Sequence, residues 1–430
     1  APPRFNDLDM NRDVPNRDVR MRGFAARADV DDVLAFLRER VPTLPNESVP
    51  LRACAGRVLG ADVVAEADVP GFARSAMDGF AVRGEETFGA SDYEPIALEV
   101  VGESFPGRPY AGEVGPGGAV KIMTGAPLPK GADALVRAEV CRAEDRRVEI
   151  TEPVPPRKNI GAVGEDIRNG DRLLSAGRRL RPQDVGVLSS VGIAEVPCVG
   201  RPRVALVITG DELLPAGTKP RGAHIADSNS VMLAALVERD GGVTLPYEIL
   251  PDRPERIRSE LTKSRADVIL VSGGSSVGQE DHAPRLVASL GRLDFHGVAM
   301  RPSSPAGVGR LPAEGRERFV FLLPGNPVSC LCAYEFFAGP TIRASGGRSW
   351  MWPHKKVSLP LARKISSEVG RVDYVRVAIE NRQVIPLATS GASILSSTVR
   401  AAGCVIVSRD AEGMPEGATV DVILYDEDLP

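Results

Sequence analysis

The sequence has few of the features that mark membrane, secreted or zinc proteins. No run of about 18 apolar residues is present, and residues 1–20 are charged and lack the apolar core of a signal peptide. The six cysteines are scattered without a CxxC pair, and the four histidines show no HExxH spacing. These absences argue against a membrane helix, a disulfide framework and a zinc hydrolase. We expect a cytoplasmic protein whose cysteines are reduced and mostly structural.

An excess of positive charge is also missing. The formal net charge is −4 and the isoelectric point about 5.8, so no global basic field would attract nucleic acid. Anionic ligands therefore need local basic groups or backbone N–H donors. With 43% hydrophobic and 26% charged residues, the composition is that of a globular protein. A chain of 430 residues is too long for one hydrophobic core, which predicts several domains.

The first half of the chain changes from a helical to a β-rich pattern. Residues 1–22 have no apolar periodicity and are predicted to form a flexible arm. Apolar residues recur every three or four positions over 29–41, which predicts an amphipathic helix. Residues 49–150 contain short β-rich pieces between turns, as in a compact β domain. Residues 151–200 hold many prolines and glycines and a helical stretch near 184–191, so they form either a linker or a return to the first helical region.

From residue 201 onward, predicted strands and helices alternate. The apolar patterns predict strands at 204–208, 243–250, 268–271 and 319–322, and helices from Ser228 or Asn229, at 254–264 and at 328–337. Such alternation indicates a parallel sheet with right-handed crossovers. After Pro340 the pattern changes, and short strands are predicted at 357–361, 374–379, 384–387, 405–407 and 420–424. These strands favour a small β barrel or sandwich.

The loops that follow the predicted parallel strands are candidate ligand sites, because ligands bind beyond the carboxyl ends of such strands. Thr209-Gly-Asp-Glu-Leu213 places Asp211 and Glu212 directly after the first strand. The alternative is that these are acids at a helix N-terminus, where they favour the helix dipole.

A glycine-rich loop follows the strand at 268–271. Its small residues leave successive backbone N–H groups free to bind a phosphate, and they are Ser272, Gly273, Gly274, Ser275, Ser276, Val277 and Gly278. The spacing matches neither a Walker motif nor a dinucleotide fingerprint, and a plain flexible turn is the alternative. Asp281 and His282 follow directly, so a metal carried by the phosphate could meet a carboxylate there.

Four shorter motifs place polar residues in tight segments. In Leu323-Pro-Gly-Asn-Pro327, Pro324 and Pro327 fix a turn that contains Gly325 and Asn326, which suggests ligand contact or a helix-entry turn. The predicted β domain contains two of the others, Ser75-Ala-Met-Asp-Gly-Phe-Ala-Val82 and Ile122-Met-Thr-Gly-Ala-Pro127, and Gly164-Glu-Asp-Ile167 follows that domain. Their candidate residues are Asp78, Thr124, Gly125 and Asp166. The alternative for each motif is an ordinary turn, in which these residue types are favoured for backbone reasons.

Together these segments resemble one protein family. SAMDGFAV, IMTGAP, GEDI, TGDEL, DSN, SGGSSVG and LPGNPVS, in this order and at these separations, resemble the molybdenum insertase family usually called MoeA, whose eukaryotic relatives include the gephyrin E domain. The resemblance covers about residues 25–428.

The resemblance implies a multidomain fold of the α/β plus β class. We expect a central doubly wound, mainly parallel α/β domain, similar to MogA and MoeA, at 200–342 and a C-terminal β barrel at 343–430. A β domain is expected at 49–151, and a discontinuous helical or linker dimerisation domain at 23–48 and 152–199. The implied assembly is a homodimer whose active sites lie between the α/β domain of one subunit and the β domain of the other.

The resemblance also implies a reaction. Members of the family take adenylylated molybdopterin and molybdate and, with Mg²⁺, release AMP and the molybdenum cofactor. The acidic positions that match the family motifs are implied to be catalytic, and they are Asp78, Asp166, Glu212, Asp227 and Asp281. Of these, Glu212 and Asp281 are expected near Mg²⁺, with Asp78 and Thr124 contributed across the dimer. The SGGSSVG loop would bind the phosphate, and Pro324, Gly325, Asn326 and Pro327 would shape the pterin side. Molybdopterin adenylyltransferase and apo-molybdoenzymes are the further partners that this role implies.

Two departures from the family pattern remove positive charge. Where the family usually reads KPGKP, this chain has Arg301-Pro-Ser-Ser-Pro305, which keeps one cation and puts Ser304 in place of a lysine. Before GEDI, where some relatives carry arginines, residues 159–163 read NIGAV. A hydroxyl supplies a hydrogen bond but no charge, so oxyanion binding should weaken. Arg371, Arg376 and Ser393 are expected to offset part of the loss.

A working insertase is the leading interpretation. The first alternative is a divergent paralogue that binds molybdopterin or its nucleotide without turnover, as a carrier or scaffold. The altered RPSSP segment supports it, whereas the intact acidic set argues against it. The second alternative is an adenylyltransferase acting one step earlier, like single-domain relatives of the α/β unit, and the flanking domains make it less favoured.

Overall fold

The computed structural model describes residues 27–274, 282–388 and 392–426, and they form two units. The smaller unit comprises residues 46–198, and the larger comprises the described residues of 1–45 and 199–430. The predicted arm at 1–22 and the loop residues 275–281 lie outside the described part. Among the described helices, none is long and apolar enough to cross a membrane.

A six-stranded mixed sheet forms the centre of the smaller unit. In spatial order its strands are Ala134–Arg137, Gly79–Val82, Gly118–Ile122, Ile96–Ser104, Arg147–Ile150 and Cys141–Glu144. Successive side chains of a strand point to opposite faces, so Phe80 and Val82 pack in one core and Ala81 in another. The β-rich pieces predicted around residues 96–101 and 147–150 are confirmed as strands.

The two ends of the smaller unit pair with each other. Three two-stranded sheets are formed, by Asn46–Pro50 with Glu195–Val199, Val63–Val64 with Arg172–Leu174, and Arg74–Ser75 with Ile160–Gly161. Helix Pro182–Ser190 completes this part, and three short 3-10 helices lie at Leu51–Ala53, Gly84–Thr87 and Ala138–Val140. One core joins Val49, Cys54 and Leu59 to Leu174, Leu180, Leu188, Val196 and Cys198. Residues 151–198 therefore pair and pack with residues 46–64.

The first helix does not pack with residues 151–198. Helix Val30–Arg40 confirms the helix predicted over residues 29–41, but Val30, Val33 and Leu37 pack in the core of the larger unit. The family resemblance implied that residues 23–48 and 152–199 form one discontinuous domain. The pattern of apolar residues along the chain shows that this helix has an apolar face, but not which element packs against that face. In the structure, the α/β core packs against it.

A seven-stranded sheet lies at the centre of the larger unit. Its order is Val243–Thr244, Arg203–Thr209, Val268–Ser272, Arg316–Leu323, Gly307–Ala313 and Arg292–His296, and Ile249–Leu250 also pairs with Arg203–Thr209. The first strands run parallel, whereas Gly307–Ala313 and Arg292–His296 are antiparallel to their neighbours. The mainly parallel centre is thus confirmed.

Helices cover both faces of this sheet. Leu206, Leu270 and Phe321 pack on one face in a core with helices Val30–Arg40, Asn229–Arg239 and Pro327–Ala333. Val207, Val271 and Val320 pack on the other with helices Pro254–Lys263 and Ala283–Leu290. Each strand supplies both cores by alternation, which is the arrangement of a doubly wound α/β fold.

The larger unit differs from the sequence prediction in three respects. The single strand predicted at 243–250 is two short strands, because Pro246 lies between them and cannot donate to the ladder. The antiparallel strands Arg292–His296 and Gly307–Ala313 were missed. Glycines and Pro312 interrupt the β pattern of Gly307–Ala313, and Arg292–His296 contains only two apolar residues. The helix predicted at 328–337 continues through a π-helical turn, Tyr334–Ala338, into Gly339–Ser345.

The C-terminal strands form a second sheet in the larger unit. Its order is Met300–Arg301, Val372–Glu380, Gly403–Val407, Thr419–Leu424 and Lys356–Pro360, and Gln383–Ala388 pairs with Val372–Glu380. Two short strands, Ile365–Ser366 and Gly413–Met414, form a pair, and a short helix spans Ser396–Val399. A bridge joins Leu361 to Val384. The bridge is compatible with the predicted barrel, which stays a prediction.

Candidate functional site

The carboxyl ends of three parallel strands lie side by side at one edge of the larger sheet. Strand Val268–Ser272 pairs with Arg203–Thr209 on one side and with Arg316–Leu323 on the other. The pairs Ile208 with Ser272 and Ser272 with Leu323 end the ladders. Consequently the TGDEL, SGG and LPGNP segments all begin at this edge, as the sequence predicted.

A single buried amide links two of these loops. Asn229 Nδ2 donates to Ser272 Oγ at 2.9 Å and to the carbonyl oxygen of Gly325 at 2.8 Å. Asn229 is 8% exposed, and its Oδ1 is buried without a hydrogen-bond partner among the described residues. The sequence indicated Asn229 only as a possible first residue of a helix. Its position within the DSN motif was the available signal for this role.

Gly273 allows the glycine-rich loop to approach the neighbouring strand end closely. Its φ is +94°, and a Cβ atom there would lie 2.1 Å from the carbonyl oxygen of Thr209. Gly325 lies on the other side, where an added Cβ would be 3.8 Å from Gly273 Cα. Ser272, Gly273 and Gly274 are therefore brought together with the LPGNP turn. Ser275, Ser276, Gly278 and Asp281 lie outside the described residues.

Asp227 and Glu212, two acids that the resemblance implies to be catalytic, have different surroundings at this edge. Asp227 is 5% exposed, and its Oδ1 accepts a 3.1 Å hydrogen bond from the N–H of Ser230. It therefore caps helix Asn229–Arg239, whereas the side chain of Ser228, at the cap position, makes no cap hydrogen bond. Glu212 is exposed, and its carbonyl oxygen accepts from the N–H of Ile225 at 2.9 Å.

The RPSSP segment lies against the C-terminal sheet. Arg301 is opposite Asp373 in a parallel pairing, and its Nη2 donates to Asp373 Oδ2 at 2.5 Å. Arg371 Nε donates to the other oxygen of the same carboxylate at 2.9 Å. Ser303 Oγ donates to the carbonyl oxygen of Ser329, and Ser304 Oγ is buried without a described partner.

Arg376 and Ser393 have separate environments. Arg376 is 2% exposed within strand Val372–Glu380. Ser393 is exposed and follows Ala392, whose carbonyl oxygen accepts a 3.0 Å hydrogen bond from the N–H of Val328. Ser393 is therefore held next to the first turn of helix Pro327–Ala333. Asp373 connects Arg301 to Arg371, and it was not among the site residues predicted from the sequence. Its position between Arg371 and Arg376 could have indicated that it interacts with these arginines.

In the smaller unit, Asp78 and Thr124 form one hydrogen-bonded pair. Asp78 Oδ1 accepts from the backbone N–H of Thr124 and from its hydroxyl, each at 2.8 Å. The backbone hydrogen bond, followed by the hydroxyl hydrogen bond, lowers the pKa of the Asp78 carboxyl below its ordinary value. Asp78 is exposed, so this fixed carboxylate can meet a ligand or a cation.

Backbone hydrogen bonds bring the other motif residues of this unit together. The N–H of Gly125 donates to the carbonyl oxygen of Ser75 at 2.8 Å, and that of Asp166 donates to Val69 at 3.1 Å. Arg74 Nη2 and Glu165 Oε1 form an ion pair at 2.6 Å. The SAMDG, IMTGAP and GEDI segments therefore form one surface region, on which the Asp166 side chain is exposed.

Most of the cysteines are buried. All six are free, and only Cys141 is not buried. Burial raises the pKa of the Cys330 thiol to about 12, which keeps it protonated at neutral pH. Their burial is what mostly structural cysteines require, and their reduced state stays a prediction.

Known families match three successive parts of the chain. The MoeA N-terminal region (domain I and II) matches residues 28–192, a probable molybdopterin binding domain matches 205–344, and the MoeA C-terminal region (domain IV) matches 358–425. Matches on both flanks of the central domain argue against a single-domain adenylyltransferase.

Individual relatives match over most of their length. The molybdopterin molybdenumtransferase of Haemophilus influenzae is 31% identical, over 91% of this chain and 97% of the relative. Molybdopterin molybdenumtransferase 2 of Mycobacterium tuberculosis is 35% identical, over 78% and 84%. A crystal structure of the molybdopterin biosynthesis MoeA protein from Pyrococcus horikoshii has 32% identity and a TM-score of 0.72, covering 93% of this chain and 100% of that chain.

These relatives favour an enzyme over a non-catalytic carrier. Identities at or above 30% extend over most of this chain in several curated transferases. The match to the MoeA crystal structure over most of the chain shows a MoeA-type multidomain fold. The chain therefore belongs to the molybdopterin molybdenumtransferase (MoeA) family and is an enzyme of molybdenum cofactor biosynthesis.

Proposed function

We propose that this enzyme inserts molybdenum from molybdate into adenylylated molybdopterin and releases AMP in a Mg²⁺-dependent step. The observation that carries this proposal is the joint edge formed by the TGDEL, SGG and LPGNP segments. Asn229 holds two of them at 2.9 and 2.8 Å, so the edge is a preformed surface. A substrate with both a phosphate and a ring system needs such a combination of loops.

Residues 272–274 would bind the phosphate. Gly273 has no side chain between the loop and Thr209, which leaves backbone N–H groups accessible to an anion. Thr209 Oγ1 is buried without a partner among the described residues, and its hydroxyl can donate a further hydrogen bond behind the loop. Pro324 and Pro327 fix the turn that would face the pterin.

Glu212 fits the role of a Mg²⁺ partner. No group of three or more His, Cys, Asp or Glu side chains that could hold a metal ion occurs within residues 27–274, 282–388 and 392–426. Mg²⁺ is nevertheless often bound by one or two carboxylates together with substrate phosphates, and the exposed Glu212 can supply one. Asp281 is proposed as the second. Bound Mg²⁺ would neutralise charge that develops on the phosphate as AMP leaves.

Molybdate would bind near the RPSSP segment. Arg301 and Arg371 provide two guanidinium groups on either side of Asp373, and Ser304 contributes a buried hydroxyl. Guanidinium groups present several N–H donors in a fixed plane, which suits a tetrahedral oxyanion. We propose that Arg376 and Ser393 complete this site.

The assembly is also proposed. In a homodimer, Asp78, Thr124, Gly125 and Asp166 would serve the active site of the partner subunit. The Asp78 carboxylate is ionised and fixed by Thr124, as a cation-facing or water-positioning group requires. The cytoplasmic location, the adenylyltransferase partner and the apo-molybdoenzymes that would receive the cofactor stay predictions.

The direct test incubates the purified chain with adenylylated molybdopterin, molybdate and Mg²⁺, and measures AMP release and the activation of an apo-molybdoenzyme. We expect molybdate-dependent AMP release that stops when Mg²⁺ is chelated. Glu212→Gln should slow AMP release by about 100-fold, because one carboxylate near the metal is lost. Glu238→Gln, an exposed acid at the far end of helix Asn229–Arg239, is the matched control and should leave the rate unchanged. Tight nucleotide binding without AMP release would contradict the proposal and favour a carrier.

A further inference from the structure

We infer that Asp373 is a positioning residue, which fixes Arg301 and Arg371 in the geometry that binds the substrate oxyanion. The inference rests on the proposed insertase function, because molybdate is the oxyanion concerned. It assigns to this chain a replacement for the lysine that the RPSSP segment lacks.

The geometry around Asp373 is that of a two-sided clamp. The Asp373 side chain is 1% exposed, and its two oxygens accept from Arg301 Nη2 at 2.5 Å and from Arg371 Nε at 2.9 Å. The parallel pairing of Met300 with Val372 and of Arg301 with Asp373 holds the two backbones in register. Both guanidinium groups are therefore oriented by one buried carboxylate.

The clamp leaves hydrogen-bond donors for a further anion. Arg371 Nη1 also donates to the exposed Glu368 carboxylate at 2.8 Å, so the two guanidinium groups are balanced in charge by the carboxylates of Asp373 and Glu368. Arg371 Nη2 is buried and has no hydrogen-bond partner among the described residues, and the same is true of Ser304 Oγ. A buried donor without a partner is costly, so a bound oxygen atom would satisfy these groups.

Both unpartnered groups adjoin the same backbone segment. The N–H of Val298 donates to the carbonyl oxygen of Ser304 at 2.9 Å, and the N–H of Val372, next to Arg371, donates to Ala299 at 2.9 Å. Ser304 thus occupies the position of the missing lysine, and Arg371 brings a cation to the same segment. Asp373 determines the orientation of the Arg371 guanidinium group.

Three possible roles of Asp373 predict different effects on KM for molybdate. If Asp373 only repels the anion, Asp373→Asn raises the local net charge by one unit and lowers KM. If Asp373 only stabilises the fold, the variant reduces the amount of active enzyme and leaves KM unchanged. If it positions the arginines, KM rises even though the positive charge increases.

The experiment measures KM and kcat for molybdate in AMP release by the full chain, together with molybdate binding by calorimetry. We expect Asp373→Asn to raise KM and the dissociation constant about tenfold, as for the loss of charge-assisted hydrogen bonds, with kcat nearly unchanged. Asp373→Glu keeps two charged acceptors and should recover most of the affinity. Asp240→Asn is the matched control, because Asp240 is also a fully buried carboxylate between two arginines, Arg239 and Arg343. It should leave KM unchanged.

A second variant covers the case in which Asp373→Asn does not fold. Arg371→Lys keeps the charge but loses the planar fork, so it should also raise KM for molybdate about tenfold. An unchanged or lowered KM in the folded variants would overturn the positioning role. If wild-type protein releases no AMP, the proposed function fails, but calorimetric molybdate binding by wild type and Asp373→Asn still tests the clamp.

Discussion

The Asn229 side chain connects loops that are far apart in sequence. Its amide nitrogen donates to Ser272, 43 residues later, and to Gly325, 96 residues later. Both bonds are at the edge where the proposed substrate phosphate and pterin would meet. Hydrogen bonds of a buried amide contribute modestly to stability when formed, and leave a larger cost when one partner is removed.

We therefore predict that Asn229→Ala destabilises the larger unit by about 1–3 kcal/mol. Alanine is a good helix residue at this first helical position, so the loss reflects the two hydrogen bonds. Both tryptophans, Trp350 and Trp352, are in the larger unit, so urea unfolding followed by their fluorescence reports on it. Gln383→Ala removes an exposed amide from the same unit and serves as the control. Equal unfolding midpoints for the two variants would show that the Asn229 bonds add nothing.

Among the elements, the turn after strand Val268–Ser272 depends on close backbone approach. Gly273 combines a positive φ with a carbonyl oxygen 2.1 Å from its missing Cβ. Gly315, in the hairpin between Gly307–Ala313 and Arg316–Leu323, also has a positive φ, +71°, but no atom within 4 Å of the Cβ position. Alanine substitutions at the two glycines therefore distinguish two contributions to the free energy of unfolding. One is the strain of a positive φ, and the other is a steric clash of the added Cβ atom.

Gly315→Ala should destabilise the larger unit by about 1 kcal/mol, from backbone strain alone. Gly273→Ala should cost about 1–3 kcal/mol more, because the loop must move away from Thr209. It should also weaken binding of adenylylated molybdopterin, whereas Gly315→Ala should not. Tryptophan fluorescence during unfolding and nucleotide binding by calorimetry measure the two effects. Normal nucleotide affinity in Gly273→Ala would argue against a phosphate site at this loop.

Elements with a simple apolar period were predicted well. Strands Arg203–Thr209 and Val268–Ser272 and helix Pro254–Lys263 all lie within a few residues of their predicted bounds. The antiparallel strand Gly307–Ala313 was missed because its glycines carry little β preference. At Gly309 an added Cβ would be 2.6 Å from the carbonyl oxygen of Arg292, so the strand pair needs a glycine there.

At the scale of the whole molecule, the smaller unit contains its own cores. Residues 46–198 enclose three apolar clusters, and strands Asn46–Pro50 and Glu195–Val199 bring the two ends of the unit together. A segment with paired ends and its own core can fold without the rest of the chain.

We predict that a fragment of residues 46–198 folds on its own. Cys54 and Cys198, both 0% exposed, should then resist a thiol reagent. The half-buried Cys141 should react, but slowly, because burial raises the pKa of its thiol to about 11. A fragment of residues 66–198 lacks Asn46–Pro50 and Val63–Val64 and is the control, in which Cys198 should react rapidly. Rapid modification of both buried cysteines in the longer fragment would show that the unit depends on the remaining chain.

The alternating strands and helices, the loops at the strand ends and the family could all be predicted from the amino-acid sequence. Each of these follows from local periodicity, from glycine and proline positions, or from the order of motifs along the chain. Which distant side chains meet depends on how the elements pack, and it is visible only in the folded chain. The Arg301–Asp373 pair spans 72 residues and the Asn229–Gly325 bond spans 96, and neither has a local signature. The packing of helix Val30–Arg40 on the α/β core was likewise decided by which apolar surface was available to cover it.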